Sequence, residues 1–293
     1  VPLGRQTGGL LLERSPLKAW KEAHLTDSAA VGRHRIDASE VERLAREFED
    51  CSAEEVLRWA VERFGDGVAL STSFQATGMV LLDMLNRVSP GTRIFTLDTG
   101  RLPKETYDLI DTAQQRYGCS IDVQPPDPDE LKEIVGRHGM NMFYRSYSQR
   151  LLCCDTRKVK PLDRALSGLD AWFTGLMRSQ GGIRSETAKI TIDESRDGRV
   201  KISPLADWDT ERVWDYIRTN DVPYNALYDQ GYTSIGCDPC TRAIEPGEDT
   251  RAGRWWWESG VPKECGIHLS PALKAQALQQ ASSAQTSTDI SNK

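Results

Sequence analysis

Val68-Ala69-Leu70-Ser71-Thr72-Ser73-Phe74-Gln75-Ala76-Thr77-Gly78 is the stretch that decides the fold. A short apolar run after Gly67 reads as a buried strand. A hydroxyl-rich loop follows, and then a segment from Gln75 to Val88 with helical spacing. The alternation continues downstream. Arg93–Leu97 predicts a second strand, and Pro103–Tyr117 a second helix with proline near its first turn. Ile121–Val123 predicts a third strand, Asp129–His138 a helix, Ala171–Leu176 a fourth strand and Val200–Ile202 a fifth. Thr210–Arg218 predicts a last helix, with Val213, Trp214 and Ile217 turned inward. Strands alternating with helices imply an α/β fold, a mainly parallel sheet with helices on both faces.

Upstream, Ser39-Glu40-Val41-Glu42 reads as a capping box opening a helix, with Val41, Leu44, Ala45 and Phe48 on one face. Ser52-Ala53-Glu54-Glu55 repeats the device before Val56, Leu57, Trp59 and Ala60. Residues 1–36 lack a clean period and are expected to form a flexible arm. Residues 37–262 are expected to form the main domain. Residues 263–293 are expected to be a mobile C-terminal segment that ends in a disordered Ala-, Gln- and Ser-rich tail.

A net charge of −6 argues against a protein held to nucleic acid by phosphate contacts. No run of about 18 apolar residues is present, so no membrane span is expected. The first residues lack the apolar core of a secretory signal, and a reducing, cytoplasmic setting is expected. There, cysteine pairs serve as ligands or redox groups more readily than as structural disulfides. The sequence leaves room for a homo-oligomer.

In open α/β sheets, ligands bind beyond the carboxyl ends of strands. Three such ends carry suggestive residues. Ser71, Thr72 and Ser73 precede a helix start, where hydroxyls and backbone N–H groups either hold an anion or simply cap the helix. Leu97-Asp98-Thr99-Gly100 reads as a turn or as a close approach to a ribose or base. Gly175 to Arg184 places Arg178 and Arg184 in a Gly-rich loop. That loop is either a solvated basic loop or a fork for phosphate or sulfate.

Seven cysteines are present. Cys153 and Cys154 are adjacent, in a segment from Gln149 to Lys158 that reads as helix, and Cys237-Asp238-Pro239-Cys240 forms a second pair. Two pairs supply the four soft ligands of an iron–sulfur cluster or a tetrahedral zinc. Adjacent cysteines fit poorly in a loop that wraps one small ion and better on a cluster that offers separate irons. Cys265, in Lys263-Glu264-Cys265-Gly266-Ile267-His268, is left over and is the candidate nucleophile. Cys51 and Cys119 read as ordinary small apolar residues.

The Ser71–Gly78 loop, Leu97–Leu102, Cys153-Cys154, Cys237–Cys240 and the Glu264–His268 end, in that order, resemble the assimilatory, thioredoxin-dependent adenylyl-sulfate reductases of bacteria. These are iron–sulfur members of the PAPS reductase family. The resemblance covers roughly residues 40 to 270. It implies an adenine nucleotide alpha-hydrolase-like (ATP-pyrophosphatase-like) fold and a [4Fe-4S] cluster on Cys153, Cys154, Cys237 and Cys240. It also implies adenosine 5′-phosphosulfate (APS) as substrate, with sulfite and AMP as products. Cys265 would form an S-sulfonate that thioredoxin resolves. Lys158 would bridge cluster and substrate oxyanion, and Arg251 and Arg254 would grip the phosphosulfate. Lys263 and His268 stand near enough in sequence to favour the thiolate. Ser71, Thr72, Ser73, Leu97, Asp98, Gly100 and Arg178 are the expected contacts at the strand ends. Trp255, Trp256 and Trp257 read as packing rather than base stacking. Residues 266–293 are too few for a fused redox domain, so the electron donor is expected to be a separate protein.

Two rivals are separable. A 3′-phospho-APS (PAPS) reductase shares the loop and the C-terminal motif but typically lacks both cysteine pairs. A cluster-bearing tRNA thiolase keeps an S-G-G-x-D-S loop, absent here, and needs a basic RNA surface.

Overall fold

A computed structural model describes residues 36–261, 263–269 and 272. The expected N-terminal arm up to residue 35 and most of the expected tail lie outside the described residues. Two helices open the chain, α1 (Ala38–Glu47) and α2 (Ala53–Phe64). The cap of α1 is Asp37, two residues before the expected Ser39. The Asp37 carboxylate accepts both the Ser39 hydroxyl at 2.7 Å and the Glu40 N–H at 2.8 Å, and a carboxylate at the positive end of a helix outcompetes a hydroxyl. The second box forms as expected, with Ser52 N–H bonded to Glu55 and Glu55 N–H to the Ser52 hydroxyl.

The alternating part follows as β1 (Val68–Ser71), α3 (Ala76–Val88), β2 (Arg93–Leu97), α4 (Lys104–Tyr117), β3 (Ile121–Gln124) and α5 (Pro128–His138). Then come α6 (Tyr147–Cys154), a π-helical turn (Asp155–Val159), α7 (Lys160–Leu166), β4 (Ala171–Phe173), β5 (Ile190–Asp193), β6 (Arg199–Ile202) and α8 (Thr210–Thr219). The six strands lie in the order β3-β2-β1-β4-β6-β5. All neighbours are parallel except β5, which runs antiparallel to β6 at the edge.

Strand alternation sorts side chains to two faces. Val68, Leu70, Ile94, Ala171 and Phe173 pack into one core with residues of α1, α2, α3, α4 and α8. Ala69, Phe95 and Trp172 pack on the other side with Leu162, Ala165 and Leu166 of α7. Both faces are therefore covered, as the sequence predicts.

The chain leaves β1 to build β2 and β3 on one side and β4 on the other. The β1/β4 boundary is thus the topological switch point, where a crevice opens beyond the strands' carboxyl ends. β4 ends at Phe173, short of the expected Leu176. A Cβ on Gly175 would lie 2.5 Å from the Thr77 hydroxyl, so this loop closes against the start of α3 only with glycine there.

Candidate active site

A cavity of about 470 Å³ fills the switch-point crevice, a size typical of small-ligand sites. Its floor is the loop between β1 and α3. Ser71, Thr72 and Ser73 line it, and so do Thr77 and Gly78 in the first turn of α3, where helical N–H groups favour anions. Phe74 is fully buried and sits at φ +56, a left-handed conformation unusual for a bulky residue. The Thr72 hydroxyl steadies it by accepting the Phe74 N–H at 3.1 Å. Tyr228 accepts the Ala76 N–H at 3.0 Å, and the Gln75 side-chain carbonyl accepts the Ile235 N–H at 3.0 Å. The loop is therefore held from both ends.

At the second strand end, Leu97 and Thr99 face the cavity, but Asp98 and Gly100 do not line it. Asp98 accepts the Gly100 N–H at 2.8 Å and the Tyr107 hydroxyl at 2.7 Å, the arrangement of a capped turn. At the third, Arg178 also stands outside the cavity. It pairs with Glu49 at 2.7 Å and donates to the Thr187 carbonyl at 2.8 Å. Arg184 of the same loop lines the cavity instead.

The C-terminal segment forms the roof. Cys265, Glu264 and His268 line the cavity, together with Arg251, Arg254 and Lys158. Arg254 is 5% exposed and donates to the Ser234 hydroxyl at 3.1 Å. A Cβ on Gly236 would lie 2.3 Å from the Arg254 guanidinium, so that glycine makes room for the cation. Burial, aided by Arg184 and Arg254, lowers Arg251 to about 10. Burial opposes ionisation of Glu264, yet Arg184 and Arg251 hold it down at about 2.

The two cysteine pairs meet. Cys153, Cys154, Cys237 and Cys240 are all buried and line one small second cavity beside the first, together with Arg101, Arg150, Arg157 and Lys158. Cys265 belongs to the same buried cluster. The Cys237 thiol donates to the Thr99 hydroxyl at 3.3 Å, and the Asp238 N–H to the Arg101 carbonyl at 2.8 Å, tying this turn to the second strand end. Burial raises the Cys153 thiol, and it raises Cys240 to about 12. Among the described residues, no three His, Cys, Asp or Glu side chains converge tightly enough to hold a single metal ion. The four thiols line this second cavity.

Lys158 lines both cavities. It lies in the π-helical turn, not on the continuous helix expected from Gln149 to Lys158, and a widened turn of this kind often marks a functional site. Burial opposes its charge, but Cys237, Cys265 and Cys154 hold its ammonium above the ordinary lysine value. Cys265 is held well below the ordinary thiol value, first by the Cys154 thiol donating to it, against burial, and then by Lys158. Cys154 is raised correspondingly. Lys263, expected as one activator, instead reaches the Ala252 carbonyl at 3.4 Å. Burial, with Lys201 and Arg184 nearby, drives His268 well below the usual histidine range, so its imidazole is neutral. Its Nδ1 has no hydrogen-bond partner among the described residues.

Trp255 is 1% exposed and packs in the cysteine cluster, with Arg150 and Arg254 over its ring at 4.2 and 4.6 Å. Trp257 packs on Tyr144 at 4.4 Å, and Trp256 is partly exposed. None of the three tryptophans lines the larger cavity.

Sequence reasoning named Arg184 only as one of two loop arginines and left three contributors unassigned: Glu264, Arg150 and Tyr228. Glu264 directly precedes the candidate nucleophile, and that position was a usable signal. Nothing local marks Arg150 or Tyr228.

Comparison with known proteins agrees with this geometry. The phosphoadenosine phosphosulfate reductase domain matches residues 67–243. The adenosine 5′-phosphosulfate reductase of Allochromatium vinosum is 50% identical over 203 residues, covering 69% of this chain and 79% of the relative. The protein of the same name from Burkholderia cepacia is 46% identical, covering 75% of this chain and 87% of the relative. A chloroplastic 5′-adenylylsulfate reductase of Arabidopsis thaliana is 41% identical over 87% of this chain, which spans 58% of that longer protein. The crystal structure of a PAPS reductase from Candida auris superposes with a TM-score of 0.63 at 32% identity, covering 73% of this chain and all of that one. With the domain matched across the sheet and both cysteine pairs, the chain belongs to the phosphoadenosine phosphosulfate reductase family.

Proposed function

We propose that this protein reduces APS to sulfite and AMP, as an oxidoreductase of sulfate assimilation, the activity named for its bacterial and plant relatives. One observation carries the reading. A single switch-point cavity receives the hydroxyl-rich loop, Lys158, Arg251, Arg254 and the Cys265 thiol.

The chemistry follows from those groups. Arginines and helix-start N–H groups meet the phosphosulfate, whose charge they offset as water is excluded. The Cys265 thiolate attacks the sulfonyl sulfur. The bond from that sulfur to the bridging oxygen breaks, and AMP leaves with the electron pair. The enzyme then carries Cys265–S–SO3⁻. A dithiol donor attacks the Cys265 sulfur, sulfite departs with the S–S electron pair, and a mixed disulfide forms. The donor's second thiol displaces Cys265, so the donor ends as a disulfide and supplies both electrons. Thioredoxin is the donor of this class, in a reducing cytoplasm.

Cys153, Cys154, Cys237 and Cys240 suit a [4Fe-4S] cluster. Two buried cysteine pairs on one cavity, one of them adjacent in the chain, suit a cluster with separate irons better than one zinc ion. Arg101, Arg150, Arg157 and Lys158 offset the negative charge of ligating thiolates. When bound, the cluster supplies fixed charge beside the substrate cavity. A ligating Cys154 donates no proton, which leaves Lys158 as the cation holding Cys265 ionised.

The test offers APS and PAPS separately to anaerobically purified protein with thioredoxin and follows sulfite release. Release from APS supports the reading. Release from PAPS alone overturns it in favour of the activity named for the Candida auris structure.

A further inference from the structure

Glu264 is an unusual neighbour for an anion site. Its carboxylate is 4% exposed and sits among the cations of the substrate cavity, where an unpaired negative charge is costly and would repel a phosphosulfate. Arg184 grips it with two bonds, 2.7 Å to Oε2 and 2.8 Å to Oε1. Arg251 approaches Oε1 at 3.4 Å, and the backbone N–H of Cys265 donates to the same oxygen at 2.8 Å. Arg150, rising from the helix that carries Cys153 and Cys154, donates to the Glu264 carbonyl at 3.0 Å. The residue before the nucleophile is thus bound through side chain and main chain to three arginines of the protein body. The nucleophile's own amide hangs from that carboxylate.

We infer that Glu264 is a positioning residue: its carboxylate, held by Arg184 and Arg251, seats the Cys265 amide and so fixes the thiol at the cavity, while occupying guanidiniums that an anionic ligand would otherwise use. The inference rests on the reductase reading for its rate measurement but not for its binding and exchange measurements. The clamp has two consequences of different sign. Losing either partner unseats Cys265. Losing the carboxylate strengthens the cavity's hold on anions, and losing the guanidinium weakens it.

The experiment compares Glu264→Gln, Glu264→Asp and Arg184→Gln with the unaltered protein. Hydrogen exchange at the Cys265 amide reads the seat directly, AMP binding reads the anion site, and intact-mass single turnover with APS reads sulfonation of Cys265. In Glu264→Gln and Arg184→Gln the Cys265 amide is expected to exchange at least about tenfold faster, and sulfonation to slow about ten- to hundredfold, the scale of a lost charge-assisted bond. AMP is expected to bind about tenfold tighter to Glu264→Gln and about tenfold weaker to Arg184→Gln. Glu264→Asp, which keeps the charge, is expected to recover most of the amide protection. The same direction of AMP change in both neutral variants overturns the proposal, and so does unchanged amide exchange in both. Were unaltered protein to gain no SO3 from APS, the function would need revision, and exchange and AMP binding would still decide the role of Glu264.

Discussion

Cys265 and Lys201 show how neighbours and burial set single-residue chemistry. Replacing Cys265 by Ser removes the thiolate and keeps the shape of the wall. The variant is expected to bind AMP within about twofold of the unaltered protein, since no substrate contact other than the reacting sulfur is lost. It is expected to gain no SO3 in intact-mass measurements after incubation with APS. Sulfonated Cys265→Ser would show that another residue is the nucleophile. Lys201 lies on β6 with its ammonium 5.5 Å from the Trp172 ring, and burial lowers it to about 8, with Arg196 and Arg184 acting in the same direction against Asp193 and Glu264. A base with a depressed folded value binds fewer protons than the unfolded chain between about 8 and its ordinary value. Stability therefore rises with pH across that window. Lys201→Met is expected to unfold at higher urea than the unaltered protein at pH 7, and the difference is expected to shrink at pH 9. A gap that is constant with pH would mean that the lysine acts through packing alone.

At the level of elements, Gly175 joins β4 to the nucleotide loop. The close approach to Thr77 makes Gly175→Ala a steric test of that junction. The variant is expected to lose about 1–3 kcal/mol of stability in denaturant melts, the cost of overpacking, and to weaken AMP binding. Unchanged binding would show that the junction does not shape the site. β1, β2, β4 and the helices between them were legible because each strand is an apolar run bounded by loop residues. β5 was not. Ile190-Thr191-Ile192-Asp193 is a half-exposed edge strand flanked by Lys189 and Glu194, and its pairing with β6 is a tertiary fact. The π-helical turn at Asp155–Val159 falls where the sequence predicts the end of one regular helix from Gln149 to Lys158, because a 3.6-residue period cannot reveal a widened turn, and the short α7 after it was not anticipated. Arg178 and Arg184 look alike in one Gly-rich loop. Only the packed α1–α2 connection, which brings Glu49 to Arg178, sends one arginine to a salt bridge and leaves the other at the cavity.

Across the whole molecule, the candidate sulfur ligands come from α6 and from a turn far along the chain, and the fold brings them to one cavity. A metal group that joins such distant segments binds the folded state and not the unfolded one, and so stabilises it. Anaerobically purified protein is expected to be brown, with broad visible absorbance. Chelating its iron is expected to lower the unfolding midpoint by several degrees. A colourless sample containing zinc would overturn the cluster assignment. The cysteine pairs were legible from spacing alone, whereas the fifth thiol's setting was not. Its partners Cys154 and Lys158 come from more than a hundred residues upstream, and nothing in the Glu264–His268 motif says that Arg184 folds beside Glu264.

Residues 228 to 238 touch both chambers. Tyr228 and Ile235 fasten the loop after β1, and Cys237 and Asp238 fasten the second strand end, with Cys237 also lining the cysteine cavity. This short strut makes the two compartments a single mechanical part. Lesions along it should not separate into binding defects and sulfur defects. Any change that unseats it disables both at once, so its tolerance to mutation is set by the stricter of two demands.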